Sequence, residues 1–128
     1  MQKLMSLVLL ALCLPALSAA TAQGEPSPAT AKIMKQKLQY SQAILAAVAT
    51  EDFPGISTNA DELLELAKTQ WIQNDTPEYR AQLKDFWIVL EGLKSAAEEK
   101  NGDGATLAYL QLTLSCVKCH KYLKAPVK

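Results

Sequence analysis

Short breaks containing Pro, Gly or Asn divide the chain from residue 31 to residue 123 into four stretches with helical periodicity. No other feature constrains the fold as strongly. The breaks are EDFPG (51–55), the Thr76-Pro77 step and NGDG (101–104). No stretch shows the alternation of a β-strand. Because short connections place amphipathic helices antiparallel to their neighbours, the pattern predicts an all-α, up-down-up-down, antiparallel four-helix bundle.

Each stretch repeats apolar or small side chains at steps of three and four, which places them on one helix face. The predicted helices run from about 31 to 50, from 59 to 73 behind a Thr58/Asp61 capping box, from Thr76-Pro77 to the NGDG turn, and from 105 to 123. The predicted interior stripes are Met34, Leu38, Ser41, Leu45 and Val48; Ala60, Leu64, Ala67 and Trp71; Tyr79, Leu83, Phe86, Leu90, Leu93 and Ala97; and Tyr109, Leu112, Cys116, Cys119 and Leu123.

Residues 1–22 have the pattern of a cleaved signal peptide: Lys3, an apolar run from Leu4 to Leu17, and small residues at Ala20 and Ala22. The run is short for a membrane-spanning helix, which needs about 20 residues. We therefore expect cleavage after Ala22 or Ala20, no stable membrane anchor afterwards, and a periplasmic or otherwise exported protein. Residues 23–30 are predicted to be a flexible leader, and residues 31–128 a single domain.

The charge of the mature chain is nearly balanced, with twelve basic and thirteen acidic residues once Lys3 is removed. A basic excess typical of nucleic-acid binding is absent, as is a polybasic segment suited to a membrane surface. Cys13 is removed with the signal, so two cysteines remain, both in the stretch LSCVKCHKYL near the C-terminus.

Cys116, Cys119 and the single histidine, His120, lie close together on the surface of the fourth predicted helix. Two cysteines three residues apart can form thioethers with the two vinyl groups of a porphyrin, and the adjacent histidine can then ligate the iron. C-x-x-C-H is the signature of covalent haem attachment. The motif therefore predicts one haem c per chain, with His120 as the proximal iron ligand.

Three other interpretations fit the motif less well. A redox dithiol normally follows a strand and places its first cysteine at a helix N-terminus, where the dipole lowers the thiol pKa. A structural zinc site normally needs four ligands, and only three Cys or His residues remain after signal removal. A plain disulfide would leave His120 without a role.

A signal peptide, four helices and one C-x-x-C-H in the last helix resemble the class II c-type cytochromes, the cytochrome c′ family and its low-spin relatives. Only CVKCH is specific at the level of a motif; the remaining likeness is architectural. The resemblance implies that the first helix covers the distal face of the haem. High-spin members place an apolar residue there, and low-spin members supply a methionine thioether.

Met34 is the only methionine of the mature chain, and it is the candidate distal iron ligand. Leu38, one turn later, is the apolar alternative, in which case Met34 would only fill a gap in the core. Family members often have an arginine early in this helix near the haem propionates, whereas this chain has Lys32, Lys35 and Lys37. The choice between Met34 and Leu38 therefore stays open at the level of the sequence.

These features predict a single-electron carrier without enzymatic activity of its own, which docks transiently with redox partner proteins. The alternative is a five-coordinate haem protein that binds nitric oxide or carbon monoxide, if Leu38 faces the iron. A haem subunit of a larger exported oxidoreductase is a third interpretation. The resemblance is also compatible with a homodimer.

Overall fold

A computed structural model describes residues 26–74 and 76–124, which form four α-helices. The helices are α1 (Pro28–Ala49), α2 (Phe53–Gln73), α3 (Pro77–Glu98) and α4 (Gly102–Lys124). The described part contains no strand. Helices that follow each other along the chain pack together, so the predicted all-α four-helix bundle is confirmed. The predicted signal peptide and residues 23–25 of the predicted leader lie outside the described residues.

The break between α1 and α2 is shorter than predicted. The Asp52 side chain caps α2 by accepting a hydrogen bond from the backbone N–H of Gly55 at 3.1 Å. Pro54 and Gly55 therefore lie in the first turn of α2, where a proline costs no helical hydrogen bond. The predicted start at residue 59 and the Thr58/Asp61 capping box were wrong, because a stronger cap acts six residues earlier.

Helices α4 and α1 also begin earlier than predicted. The Asn101 side chain accepts a hydrogen bond from the backbone N–H of Gly104 at 2.8 Å, so most of NGDG belongs to the first turn of α4. Ser27 caps α1 by accepting from the backbone N–H of Thr30 at 3.2 Å. The last three residues of the predicted leader, 28–30, are thus helical. Helix α3 begins at Pro77 as predicted, although the Thr76 side chain makes no capping bond.

The core lies between the facing sides of the four helices. The stripe predicted for α3 is buried along its whole length, as are Ala60, Leu64 and Ala67 of α2. The stripe predicted for α1 was largely wrong. Leu38 and Leu45 are 59% and 51% exposed, and α1 instead buries Ile33, Ile44 and Ala47. Apolar residues occur on two faces of α1, and packing against α2 selects one of them.

Helix α4 buries its side made of Ala105, Ala108 and Leu112 and leaves several large apolar residues exposed on the opposite side. Those exposed residues include Leu107, Leu110, Leu114 and Val117. Leu123, predicted to be interior, is also exposed. Among the described helices, none combines the length and apolar character needed to cross a membrane.

We expect Leu90→Ala to lower the free energy of unfolding by about 2–5 kcal/mol, because truncation of a fully buried leucine leaves a cavity. Ile88→Ala is the matched control on the same helix: Ile88 is 60% exposed, and its truncation should change stability by no more than about 0.5 kcal/mol. Urea unfolding followed by circular dichroism measures both. Equal losses for the two variants would contradict this burial pattern.

Candidate functional site

A cavity with a volume of about 610 Å³ lies between α1, α3 and α4, and one residue of α2 also lines it. It exists because α1 and α4 contact each other much less than the other neighbouring helices do. Its walls are mostly apolar. The lining residues include Met34, Leu38, Leu63, Leu83, Phe86, Tyr109 and Leu112, together with Cys116, Cys119 and His120.

All three chemically distinctive residues of CVKCH line this cavity. They lie in the last two turns of α4, where spacings of three and four residues keep Cys116, Cys119 and His120 on one side of the helix. Both cysteines are partly buried free thiols, and His120 is more exposed. Two thiols and an imidazole therefore line one mostly apolar cavity.

Burial raises the pKa of the Cys116 thiol and that of the Cys119 thiol, and the nearby Lys37 ammonium only partly offsets this effect. A reactive dithiol needs the opposite, a pKa lowered by a helix N-terminus or by strong positive charge. The cysteines instead lie at the C-terminal end of a helix. Neither the direction of the pKa shifts nor the position on the helix favours thiol–disulfide exchange.

The described residues do not contain a group of three or more His, Cys, Asp or Glu side chains arranged to hold a metal ion by themselves. No disulfide joins Cys116 to Cys119. The cavity thus presents two thiols, an imidazole and a thioether on a mostly apolar wall.

Met34 and Leu38 of α1 both line the cavity, together with Ser41. Met34 is partly buried, whereas most of the Leu38 side chain is exposed. The cavity therefore brings Met34 into the same space as Cys116, Cys119 and His120, more than 80 positions away in the chain. Ser41 of the predicted α1 stripe lines the cavity, whereas Ala60 and Ala67 of the predicted α2 stripe belong to the packed core.

Lys37 is a cavity residue whose position the α1 stripe did not predict. Its Nζ atom lies 4.3 Å from the centroid of the Phe86 ring, a cation–π contact inside the cavity. Burial lowers the pKa of Lys37 to about 8, and the two nearby cysteines only partly oppose this effect. Lys37 follows Met34 by three residues, so the two lie close together on the helix surface. A wider interior face for α1 would therefore have included Lys37.

Two polar contacts tie α4 to its neighbours around the cavity. The hydroxyl groups of Ser41 and Tyr109 lie 3.4 Å apart and link α1 to α4. Lys118 forms an exposed ion pair with Asp85 of α3 on the outer side of the motif. An exposed pair stabilises by no more than about 1 kcal/mol, so it orients α4 more than it stabilises the fold.

The two tryptophans do not line the cavity. Trp71 lies under the guanidinium of Arg80, 5.1 Å from ring centroid to carbon, and Trp87 lies 5.9 Å from the Lys68 ammonium. Both rings are partly buried at the bundle surface. Their contacts are those of packing residues.

Comparisons with known proteins found no match for this chain among protein-family models, curated proteins or solved structures. The assignment of the site therefore depends on its own chemistry.

We expect Cys116 and Cys119 to react slowly with iodoacetamide at neutral pH in the folded protein, because burial favours the protonated form of both thiols. The rate should rise with pH around a midpoint above the ordinary thiol pKa of about 8.5. Mass spectrometry of the alkylated peptide measures the rate of alkylation at each pH, and the urea-unfolded chain is the control. A midpoint below the ordinary value would instead support a redox dithiol.

Proposed function

We propose that this chain is an exported monohaem c-type cytochrome, similar to the class II cytochromes, that carries single electrons. The observation that supports this most directly is one apolar cavity lined jointly by Cys116, Cys119, His120 and Met34. In this proposal the two cysteines hold haem c through thioethers. His120 is the proximal iron ligand, and Met34 is the distal one.

The residues present fit a haem in size and chemistry. Ligand pockets typically measure about 300–1,000 Å³ and are largely apolar with a few polar groups, and this cavity of about 610 Å³ has that character. The thiols and the imidazole project from one helix, whereas the thioether projects from another. A planar cofactor between α1 and α4 would thus have donors on two sides.

A bound haem would supply one-electron chemistry, and the chain would tune it. The apolar walls, among them Leu63, Leu83 and Phe86, would limit water around the iron. His120 and Met34 would occupy both axial positions, which keeps rearrangement between oxidation states small. Because a thioether is a soft ligand, Met34 would favour the ferrous state and raise the reduction potential. Weak, transient docking to redox partners is sufficient for this role.

A second candidate function has a specific observation in its favour. Leu38 lines the same cavity one turn after Met34. If Leu38 rather than Met34 covered the iron, the open distal position would accept small ligands such as nitric oxide or carbon monoxide. The two functions differ in the spin state of the reduced protein.

The first test is covalent attachment. When the full-length chain is produced in a host that matures c-type cytochromes, we expect haem that survives denaturing electrophoresis and stains for peroxidase activity. The double variant Cys116→Ala/Cys119→Ala should lose this stain, because both thioether positions are gone. Ser115→Ala, adjacent to the motif, should keep it. A wild-type chain without covalent haem would refute the proposal.

The second test concerns the distal ligand. The reduced wild-type protein should show a sharp low-spin spectrum, and Met34→Leu should convert the reduced protein to high-spin and allow it to bind carbon monoxide, since the thioether is lost. Leu38→Ala is the matched control and should stay low-spin. A reduced wild type that is already high-spin and binds carbon monoxide readily would favour the gas-binding function.

A further inference from the structure

Helix α4 carries two rows of apolar side chains, and the bundle uses one of them. The buried row packs against the neighbouring helices and contains Ala105, Ala108 and Leu112. The exposed row consists of Leu107, Leu110, Leu114 and Val117. Its spacings of three, four and three residues are those of the a and d positions of a coiled coil, which pack against one partner helix. Because contiguous apolar surface is uncommon on monomers, the exposed row indicates an interface.

A surface groove of about 660 Å³ lies beside the exposed row, between α3 and α4. Leu114 and Val117 of the row line this groove together with Ile88 of α3, which is 60% exposed. The groove therefore has room for apolar side chains of a partner helix that lies along α4. Ser115 is the only residue that lines both this groove and the cavity described above. A partner on this side of α4 thus leaves that cavity accessible.

Charged residues continue the exposed row at both of its ends. Asp103 lies one turn before Leu107, and Lys121 lies one turn after Val117; both charged side chains are exposed. Neither Asp103 nor Lys121 belongs to an ion pair among the described residues. The two lie about 27 Å apart along the helix axis, so they cannot pair within one copy of the chain. The row therefore has one acidic end and one basic end.

Two copies of α4 bring opposite charges together at both ends only when they lie antiparallel. A twofold axis near the middle of the row then places Leu110 of one copy against Leu114 of the other, and the two outer apolar residues pair in the same way. Asp103 of each copy faces Lys121 of the other, whereas a parallel pair would place Asp103 against Asp103. The antiparallel orientation also pairs the helix dipoles favourably. Such an interface is isologous and closes as a dimer.

We propose that α4 forms a homodimer interface, in which the exposed rows of two copies pack antiparallel and the ion pair between Asp103 and Lys121 forms twice. This interface does not depend on the haem site. Charge favours a second copy over a lipid surface, because anionic headgroups would repel Asp103. Two single helices bury less area than a standard interface, so the dimer is weak and its population depends on the protein concentration.

The experiment is sedimentation velocity of the purified protein in a concentration series up to about 1 mM. The wild type should shift from monomer to dimer across the series. Leu110→Glu should raise the Kd of the dimer by at least about 30-fold, because it places two carboxylates at the apolar centre of the interface. Leu45→Glu on α1 is the matched control, since Leu45 is 51% exposed and Leu110 is 55% exposed. It should dimerise as the wild type does.

Reversal of the end charges tests the orientation. Asp103→Lys and Lys121→Asp should each raise the Kd several-fold, because each variant places like charges opposite one another at both ends of the interface. The double variant Asp103→Lys/Lys121→Asp should recover the wild-type Kd, because both ion pairs form again with their signs exchanged. In a parallel dimer the single variants would meet as many like-charge contacts as the wild type. An unchanged Kd in the single variants would therefore overturn the antiparallel interface, as would a double variant that does not recover.

Two further results would overturn the inference. One is a protein that stays monomeric throughout the series; if that monomer binds phosphatidylglycerol vesicles and Leu110→Glu abolishes the binding, the row is a lipid-binding surface. The other is a dimer that Leu45→Glu disrupts and Leu110→Glu leaves intact, which would place the interface on α1. Leu110→Glu should retain covalent haem, because Leu110 does not line the cavity. Failure of the interface and failure of the haem site are therefore distinguishable.

Discussion

The sparse contact between α1 and α4 is the physical condition on which the candidate site depends. Consecutive helices pack closely and bury leucine, isoleucine and alanine side chains between them. The first and last helices do not close against each other in the same way, and the cavity of about 610 Å³ occupies the space between them. Protein interiors are otherwise close-packed, so a space of this size with apolar walls sets this part of the bundle apart from its core.

The fold places chemically distinctive side chains from two helices around this space. Helix α4 contributes Cys116, Cys119 and His120, and α1 contributes Met34 and Lys37. An up-down-up-down bundle places its first and last helices side by side, which brings together residues from the two ends of the domain. The topology thus gathers two thiols, an imidazole, a thioether and an amine around one cavity.

The apolar cavity acts on the cysteine pair through burial. It raises the pKa of both thiols, whereas a reactive dithiol needs a lowered one. The same surroundings lower the pKa of Lys37. The same environment therefore raises the pKa of the thiols and lowers the pKa of the amine. In both cases it favours the neutral form of the group.

The sequence by itself determined the helical class, the number of helices, the fully buried stripe of α3 and the presence of Cys116, Cys119 and His120 on one side of α4. These follow from local periodicity and spacing, which a single helix expresses without its neighbours. Helix starts at Asp52 and Asn101 were missed because Pro and Gly there were assigned to breaks, although both residues are tolerated in a first turn. Only the tertiary structure decided which face of α1 is buried, because apolar residues lie on two of its faces and packing against α2 selects one. That choice exposes Leu45 and leaves Met34 and Lys37 at the cavity wall, because the gap between α1 and α4 lies beside this face of α1.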